Sequence, residues 1–209
     1  MVGNLVRQEI IKRIVNDNLI ENADIAHCVG PVSYELRVGS YHERIIDRRI
    51  ALSSEDKLPI PPNGFVLIGA LERVNIPFDI VGMMYLRSTY ARKGFLPWFQ
   101  GIVDPGYQGG LTIVLHNMTT EPIIVTGGER ICHLVLDSLP EAVDRGYEGI
   151  YQGSEGATPP VQPPAKVREN KMSDAPVGFS PELSKIMLEE MKKNPEQFLH
   201  QVLSWLEKR

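Results

Sequence analysis

An aspartate in a glycine-proline turn, followed three residues later by a tyrosine, is the strongest chemical signal in the chain. The stretch Gly101–Asn117 reads GIVDPGYQGGLTIVLHN, with Asp104 and Tyr107 in the turn and an alternating apolar run after it. A carboxylate held in a tight turn can take a proton from a water when the two lie within hydrogen-bond reach. An aromatic ring beside it offers a flat apolar face to a sugar. A second cluster lies upstream. Arg87, Ser88, Thr89, Arg92 and Lys93 fall within seven residues. Guanidinium, ammonium and hydroxyl donors at this density match the oxygens of a triphosphate. Alone, each cluster has an ordinary explanation, a solvated basic face or simple turn chemistry. Together and in this order they point to a nucleotide.

Histidine and cysteine offer a weaker signal. His27-Cys28 and Cys132-His133 supply four atoms of the kind zinc prefers. Neighbouring residues on a strand point to opposite faces, so the two pairs converge poorly on one ion. No protein-held metal is expected, and neither cysteine belongs to a C-x-x-C pair that would suggest a disulfide framework.

Composition limits the alternatives. The chain has 209 residues, 43% of them hydrophobic and 23% charged, with a formal net charge of -4. That charge argues against a general nucleic-acid binder, which carries excess positive charge. No apolar run approaches the roughly 18–20 residues of a membrane span. The first eighteen residues mix both charge signs and lack a signal-peptide core. The expectation is a cytoplasmic protein with neither nucleic acid nor membrane as partner.

Several elements must position these residues. Residues 4–19 carry apolar Leu5, Ile10, Ile11, Ile14 and Val15 near helical spacing and predict a helix. From about 31 to 140, short β-rich runs alternate with Gly, Pro and Asn turns: 65–68, 111–115, 123–125 and 131–136. That rhythm predicts an all-β barrel or sandwich. Residues 153–179 are rich in Pro, Gly and polar residues and read as a flexible arm or linker. Ser180-Pro181-Glu182 is a helix start. Two short amphipathic helices are predicted over 180–209, separated at Asn194-Pro195. Their apolar faces must pack on the barrel, on a neighbouring subunit or on another partner. The domain reading is thus a β-barrel over 1–152, an arm over 153–179 and a helical extension over 180–209.

Five motifs, in order, carry a resemblance to a known superfamily. Pro31–Gly39 (PVSYELRVG) is similar to an S-Y-D-L-R-L-G segment, with Glu35 where aspartate is usual. Arg87–Gly94 (RSTYARKG) resembles R-S-S-L-A-R-x-G. Gly101–Asn117 resembles G-x-I-D-x-x-Y-x-G. Gly128–Val135 (GERICHLV) resembles G-E-R-I-A-Q-L-V, and Tyr147–Gly153 (YEGIYQG) resembles Y-x-G-K-Y-Q-G-Q. The chain is identified over roughly residues 1–156 as similar to the trimeric dUTPases and dCTP deaminases. The resemblance implies a distorted β-barrel that assembles as a homotrimer with sites at subunit interfaces. It also implies a deoxypyrimidine nucleoside triphosphate as ligand, with Mg²⁺ bound through the phosphates. Asp104, Ser88 and Arg92 would be catalytic. Arg87, Thr89, Lys93, Tyr107, His133, Tyr151 and Gln152 would bind substrate, with Tyr107 against the deoxyribose.

Val114 divides the two activities. Deaminases resembling this chain carry a proton-shuttling glutamate at that place. Valine neither accepts nor donates a proton, and no Asp or Glu lies between 105 and 120. Ile113–Asn117 instead resembles the dUTPase ending V-V-L-x-N. Three departures touch the ligand set: His133 for glutamine, Ile150 for the tail lysine and Ser154 for the second tail glutamine. With the catalytic strand weighted above the scaffold, the expected reaction is hydrolysis of dUTP to dUMP and pyrophosphate. Deamination of dCTP to dUTP, or nucleotide binding without catalysis, are the alternatives.

Overall fold

Alternation of buried and half-exposed residues along the strands sets the architecture. The structure, a computed structural model, describes residues 3–43, 48–96 and 99–161. In chain order it contains β1 (Gly3–Asn4), α1 (Arg7–Asp17), β2 (Ile20–Glu21), α2 (Ile25–Cys28), β3 (Ser33–Glu43), β4 (Arg48–Ala51), β5 (Lys57–Ile60), β6 (Phe65–Asn75) and β7 (Ile80–Leu86). There follow α3 (Ser88–Lys93), β8 (Phe99–Val103), β9 (Gln108–His116), β10 (Ile123–Thr126) and β11 (Arg130–Ser138). All four apolar runs picked out from the sequence fall on strands, in β6, β9, β10 and β11.

Nine strands form one curled sheet with the order β2-β6-β3-β11-β7-β8, in which β1 adds to β11, β4 to β3 and β9 to β6. A separate ribbon pairs β5 with β10. The described residues are mainly β with few helices and form a distorted, partly open barrel. In β9, Leu111, Ile113 and Leu115 are buried, while Thr112, Val114 and His116 are half-exposed. In β11, Cys132, Leu134 and Leu136 point the same inward way. Period-two burial of this kind is what fixes strand register, because a one-residue slip would turn every core side chain outward.

Among the described residues no ladder joins β8 to β9. A side chain does so instead. Gln100 donates from Nε2 to the Val114 carbonyl (3.1 Å) and accepts at Oε1 from the Val114 N–H (2.7 Å). Its amide thus stands in for a backbone unit and ties the two strands that enclose the Asp104 turn.

A buried ionic network anchors β3 on β6. Glu72 is fully buried. It accepts from Arg37 Nε (2.6 Å), the Arg37 backbone N–H (2.9 Å) and the Tyr34 hydroxyl (3.1 Å). Tyr34 accepts in turn from the Asp24 N–H at 2.9 Å. Burial, with the Glu72 charge added, pushes the Tyr34 phenol well above its ordinary range. A buried carboxylate requires this degree of satisfaction.

Two boundaries differ from the sequence reading. The first helix is shorter than 4–19. It begins at Arg7, after an extended Val6, and ends at Asp17, capped by Asn18, whose φ of 52° is left-handed. Ile10 and Ile14 are buried, but Val15 is 67% exposed and does not belong to the core face. Residues 153–160, placed in the arm, lie against the sheet. Gly110 bridges to Glu155, Glu155 pairs with Arg49 at 2.6 Å, and Ala157 is buried. Residues 1–160 form one compact unit. The two helices predicted over 180–209 lie outside the described residues.

Candidate functional site

The turn between β8 and β9 is built by backbone hydrogen bonds. The Tyr107 N–H donates to the Asp104 carbonyl at 3.1 Å, and the Gly106 N–H donates to Ile76 O at 2.8 Å. Gly106 has φ of 82°, and a Cβ there would come within 2.9 Å of the Gly146 Cα. Only glycine satisfies both demands. Asp104 is exposed at this turn.

Tyr107 is 7% exposed, and its hydroxyl donates to Gly110 O at 2.7 Å. Burial raises its phenol pKa. Its ring meets Tyr147 edge to face, with centroids 5.4 Å apart. A cavity of about 150 Å³ is lined by Asp104, Tyr107, Leu111, Tyr147, Tyr151 and Met84 among others. It is apolar except for the Asp104 carboxylate and the tyrosine hydroxyls, and suits a small ring more than a charged group.

The tail closes on this turn. Gln152 accepts from the Gln108 N–H (2.9 Å) and donates to Gly106 O (2.9 Å). Ser154 O accepts from the Gly110 N–H at 2.6 Å. Tyr151 and Gln152, both expected at the site, therefore lie beside Asp104 and Tyr107. Ile150, standing where a lysine was expected, is 59% exposed.

The basic cluster forms a separate cleft of about 300 Å³, lined by Arg87, Thr89, Lys93, Glu129, Arg130 and Tyr90 among others. Ser88, Thr89, Arg92 and Lys93 are exposed on α3. The Lys93 ammonium sits over the Tyr90 ring, 4.5 Å from its centroid. Tyr90 is buried and its hydroxyl donates to Glu129. Burial, aided by Glu129, pushes its phenol far above the ordinary range.

Arg87 is not a free donor. Its Nε lies 3.0 Å from Glu35 Oε1, and its Nη1 donates to Arg130 O at 2.8 Å. The other Glu35 oxygen accepts from Arg130 Nη1 at 2.7 Å, and the same Nη1 donates to His27 O at 2.9 Å. His133 Nδ1 lies 3.2 Å from Ser33 Oγ and 3.9 Å from Glu35. Burial lowers the His133 pKa, and the Glu35 charge only partly offsets it.

The candidate residues thus fall into two separate groups. Val103 pairs with Gly82 at one end of β7, whereas Arg87 follows Leu86 at the other. The five residue steps from Gly82 to Arg87 span about 17 Å at roughly 3.3 Å per residue. Asp104, Tyr107, Tyr151 and Gln152 are brought together. Arg87, Thr89 and Lys93 are brought together elsewhere, with Ser88 and Arg92 on the same short helix, and His133 lies beside Glu35.

Four residues outside the sequence-derived site emerge: Glu35, Arg130, Tyr147 and Gln100. The first three sit inside recognisable motifs, which was the available signal. Gln100 had none. Among the described residues no group of three or more His, Cys, Asp or Glu is placed to hold a metal. Cys28 and Cys132 are buried, and burial pushes the Cys132 thiol up to about 12. No described helix is long and apolar enough to cross a membrane.

Comparison with known proteins defines the lineage. A family model described as dCTP deaminase-like matches residues 4–139. A protein named dCTP deaminase from Thermococcus sibiricus is 39% identical over 151 residues, 72% of this chain and 89% of that protein. One of the same name from Pyrococcus horikoshii is 41% identical over 124 residues, 59% of this chain and 78% of that protein. Among solved structures, the 2'-deoxycytidine 5'-triphosphate deaminase from Agrobacterium tumefaciens superposes with a TM-score of 0.54 at 22% identity. That match covers 66% of this chain and 48% of that one, and it bears on fold alone. Motif order, curled sheet and these likenesses agree: the chain belongs to the dCTP deaminase-like family.

Proposed function

We propose that the protein is an enzyme of deoxypyrimidine nucleoside triphosphates that deaminates dCTP, adding water to give dUTP and ammonia. The observation that carries this reading is the likeness to relatives named dCTP deaminase, which runs over most of the length of the first of them. It revises the preference for dUTP hydrolysis drawn from the catalytic strand. That preference rested on Val114 and the short Ile113–Asn117 ending around it. The likeness spans the whole barrel.

The chemistry must then use a proton carrier other than residue 114. Water attack at C4 of cytosine needs an acceptor for the water proton, and the amino group needs a proton to leave. Asp104 is the carboxylate at the cavity, exposed and positioned by the turn. General-base help of this kind contributes roughly 10²–10⁴-fold. Tyr107, Tyr147 and Leu111 would flank the sugar and base.

Separation of the two groups supports a homotrimer. A nucleotide bound at the Asp104 turn of one copy would reach the Arg87–Lys93 cleft only on a neighbour. An outward apolar strip on the sheet, Met83, Tyr85, Val135 and Ile102, is where a second copy would pack; Tyr85 and Ile102 are 41% and 60% exposed. Ser88 and Arg92 would then face the nucleotide of the adjoining copy. Mg²⁺, when bound, would offset phosphate charge. The described side chains fit an ion carried by the phosphates, since they offer no ligand cluster of their own.

A second reading keeps dUTP hydrolysis to dUMP and pyrophosphate. The same water-activating carboxylate serves it, and Val114 favours it directly. A panel of deoxynucleoside triphosphates assayed for both ammonia and pyrophosphate separates the two. Ammonia from dCTP, lost in Asp104→Asn, is the expected result. Pyrophosphate from dUTP without ammonia would replace deamination by hydrolysis. A rise in melting temperature with nucleotide but no turnover would leave binding alone.

A further inference from the structure

We infer that Glu35 is the internal counter-anion of the phosphate cleft, holding Arg87 and Arg130 and competing with polyphosphate for them. The inference rests on the proposed nucleotide reading and deepens it by naming a residue that sets affinity.

The geometry is specific. Each Glu35 oxygen takes one guanidinium, Oε1 with Arg87 at 3.0 Å and Oε2 with Arg130 at 2.7 Å. Both arginines line the basic cleft, and Glu35 is not among the residues that line it. Its side chain is 14% exposed, against 23% for Arg87 and 45% for Arg130. The carboxylate therefore lies behind its partners, and they stand between it and solvent. The arginines also hold each other through the bond from Arg87 to Arg130 O.

An arriving polyphosphate meets two cations already half-neutralised. Its oxygens want the same donors, and a guanidinium shared between Glu35 and phosphate leaves two anions close together. Like charges at such separation repel strongly even at an effective dielectric near 20. Glu35 thus orders the donors in advance, which favours binding, and opposes the ligand charge, which disfavours it. The partial shielding by two arginines does not remove the second effect, because the cleft opens on their far side. A cation carried by the phosphates relieves that repulsion, so Glu35 also raises the benefit of binding the polyphosphate together with a divalent ion.

The test is calorimetric titration of the full chain with inorganic tripolyphosphate in metal-free buffer. Glu35→Gln keeps an acceptor for one arginine and removes the charge. It is expected to bind tripolyphosphate at least about tenfold more tightly than wild type. Glu35→Asp keeps the charge and is expected to stay within about threefold of wild type. A merely structural role would weaken binding in both variants. Equal or weaker binding by Glu35→Gln overturns the inference, as does equal tightening in both variants. In wild type the Arg87 Nε–H resonance should shift on adding tripolyphosphate, and an unmoved signal overturns the inference without any variant. Titration with dCTP and dUTP runs alongside. Failure of wild type to bind either would overturn the nucleotide reading and the inference with it. Nucleotide bound, with Glu35→Gln no tighter for tripolyphosphate, overturns the inference alone.

Discussion

Replacing Glu72 by alanine removes the centre of the network that fixes β3, the strand from which Glu35 emerges. Three donors converge on this fully buried carboxylate: Tyr34 Oη, Arg37 N and Arg37 Nε. The substitution leaves a buried hydroxyl and a backbone N–H without acceptors and strips Arg37 of its nearer counter-charge, leaving Asp24 at 3.8 Å. Removing one member of a buried ion pair costs roughly 3–5 kcal/mol. The Arg37 side chain is 19% exposed and also donates to Asn22 O, so water and that carbonyl recover part of the loss. The lower end, about 3 kcal/mol, is therefore expected. For a domain of this size 1 kcal/mol corresponds to about 2–4 °C, so the melting temperature should fall by about 6–12 °C. Differential scanning calorimetry and urea unfolding measure it. Glu72→Gln, which keeps one acceptor, should cost less. Tyr34→Phe removes a single hydroxyl and should cost about 0.5–1.5 kcal/mol. Arg37→Met combined with Glu72→Ala should cost less than the sum of the two, because the pair acts as a unit. A fall below about 2 °C in Glu72→Ala would refute the reasoning, since it would mean that the network is not formed.

Asp104→Asn should lower turnover by roughly 10²–10⁴-fold while leaving the melting temperature within about 1 °C, because the side chain is exposed and its removal disturbs no packing. Val114→Glu places a carboxylate on the half-exposed face of β9; ammonia release from dCTP should rise, and an unchanged rate would show that residue 114 does not reach the base. Gln100→Ala breaks both bonds to Val114 and should cost about 1–3 kcal/mol in urea unfolding. For His133, burial lowers the folded pKa below the ordinary imidazole value of about 6.5, so the unfolded chain binds the proton more readily. Stability is then full above that value and falls as pH drops below it; His133→Gln should flatten this part of the pH-stability curve, and an unaltered curve would argue against the burial effect.

Strand content was legible because it is written locally. Period-two alternation at 111–115 and 131–136, punctuated by Gly and Pro turns, needs no partner to be recognised. The same holds for the Asp-Pro-Gly turn at 104–106 and for the basic cluster at 87–93. Helix limits were less legible. Val15 follows Ile11 at helical spacing, yet it is turned one residue round the helix from the buried Ile10–Ile14 stripe and stays exposed. The start of the arm was misjudged for a similar reason. Ser154 and Glu155 are polar and look like linker, but the Ser154 carbonyl accepts from the Gly110 N–H and Glu155 bridges to Gly110.

By itself the sequence determined a β-rich barrel, its family and the residue types present at the turn and the basic cleft. The tertiary structure decided which of them meet. Arg87 pairs with Glu35, fifty-two positions away in the chain, rather than standing free for phosphate. Gln152 folds back on Gly106, and Gln100 ties β8 to β9. Most consequentially, β7 holds Asp104 and Arg87 at opposite ends. Local patterning specifies period and turn, because those depend on neighbours within a few residues. Partner choice among distant polar groups depends on register and burial across the sheet, which exist only once the chain has closed on itself.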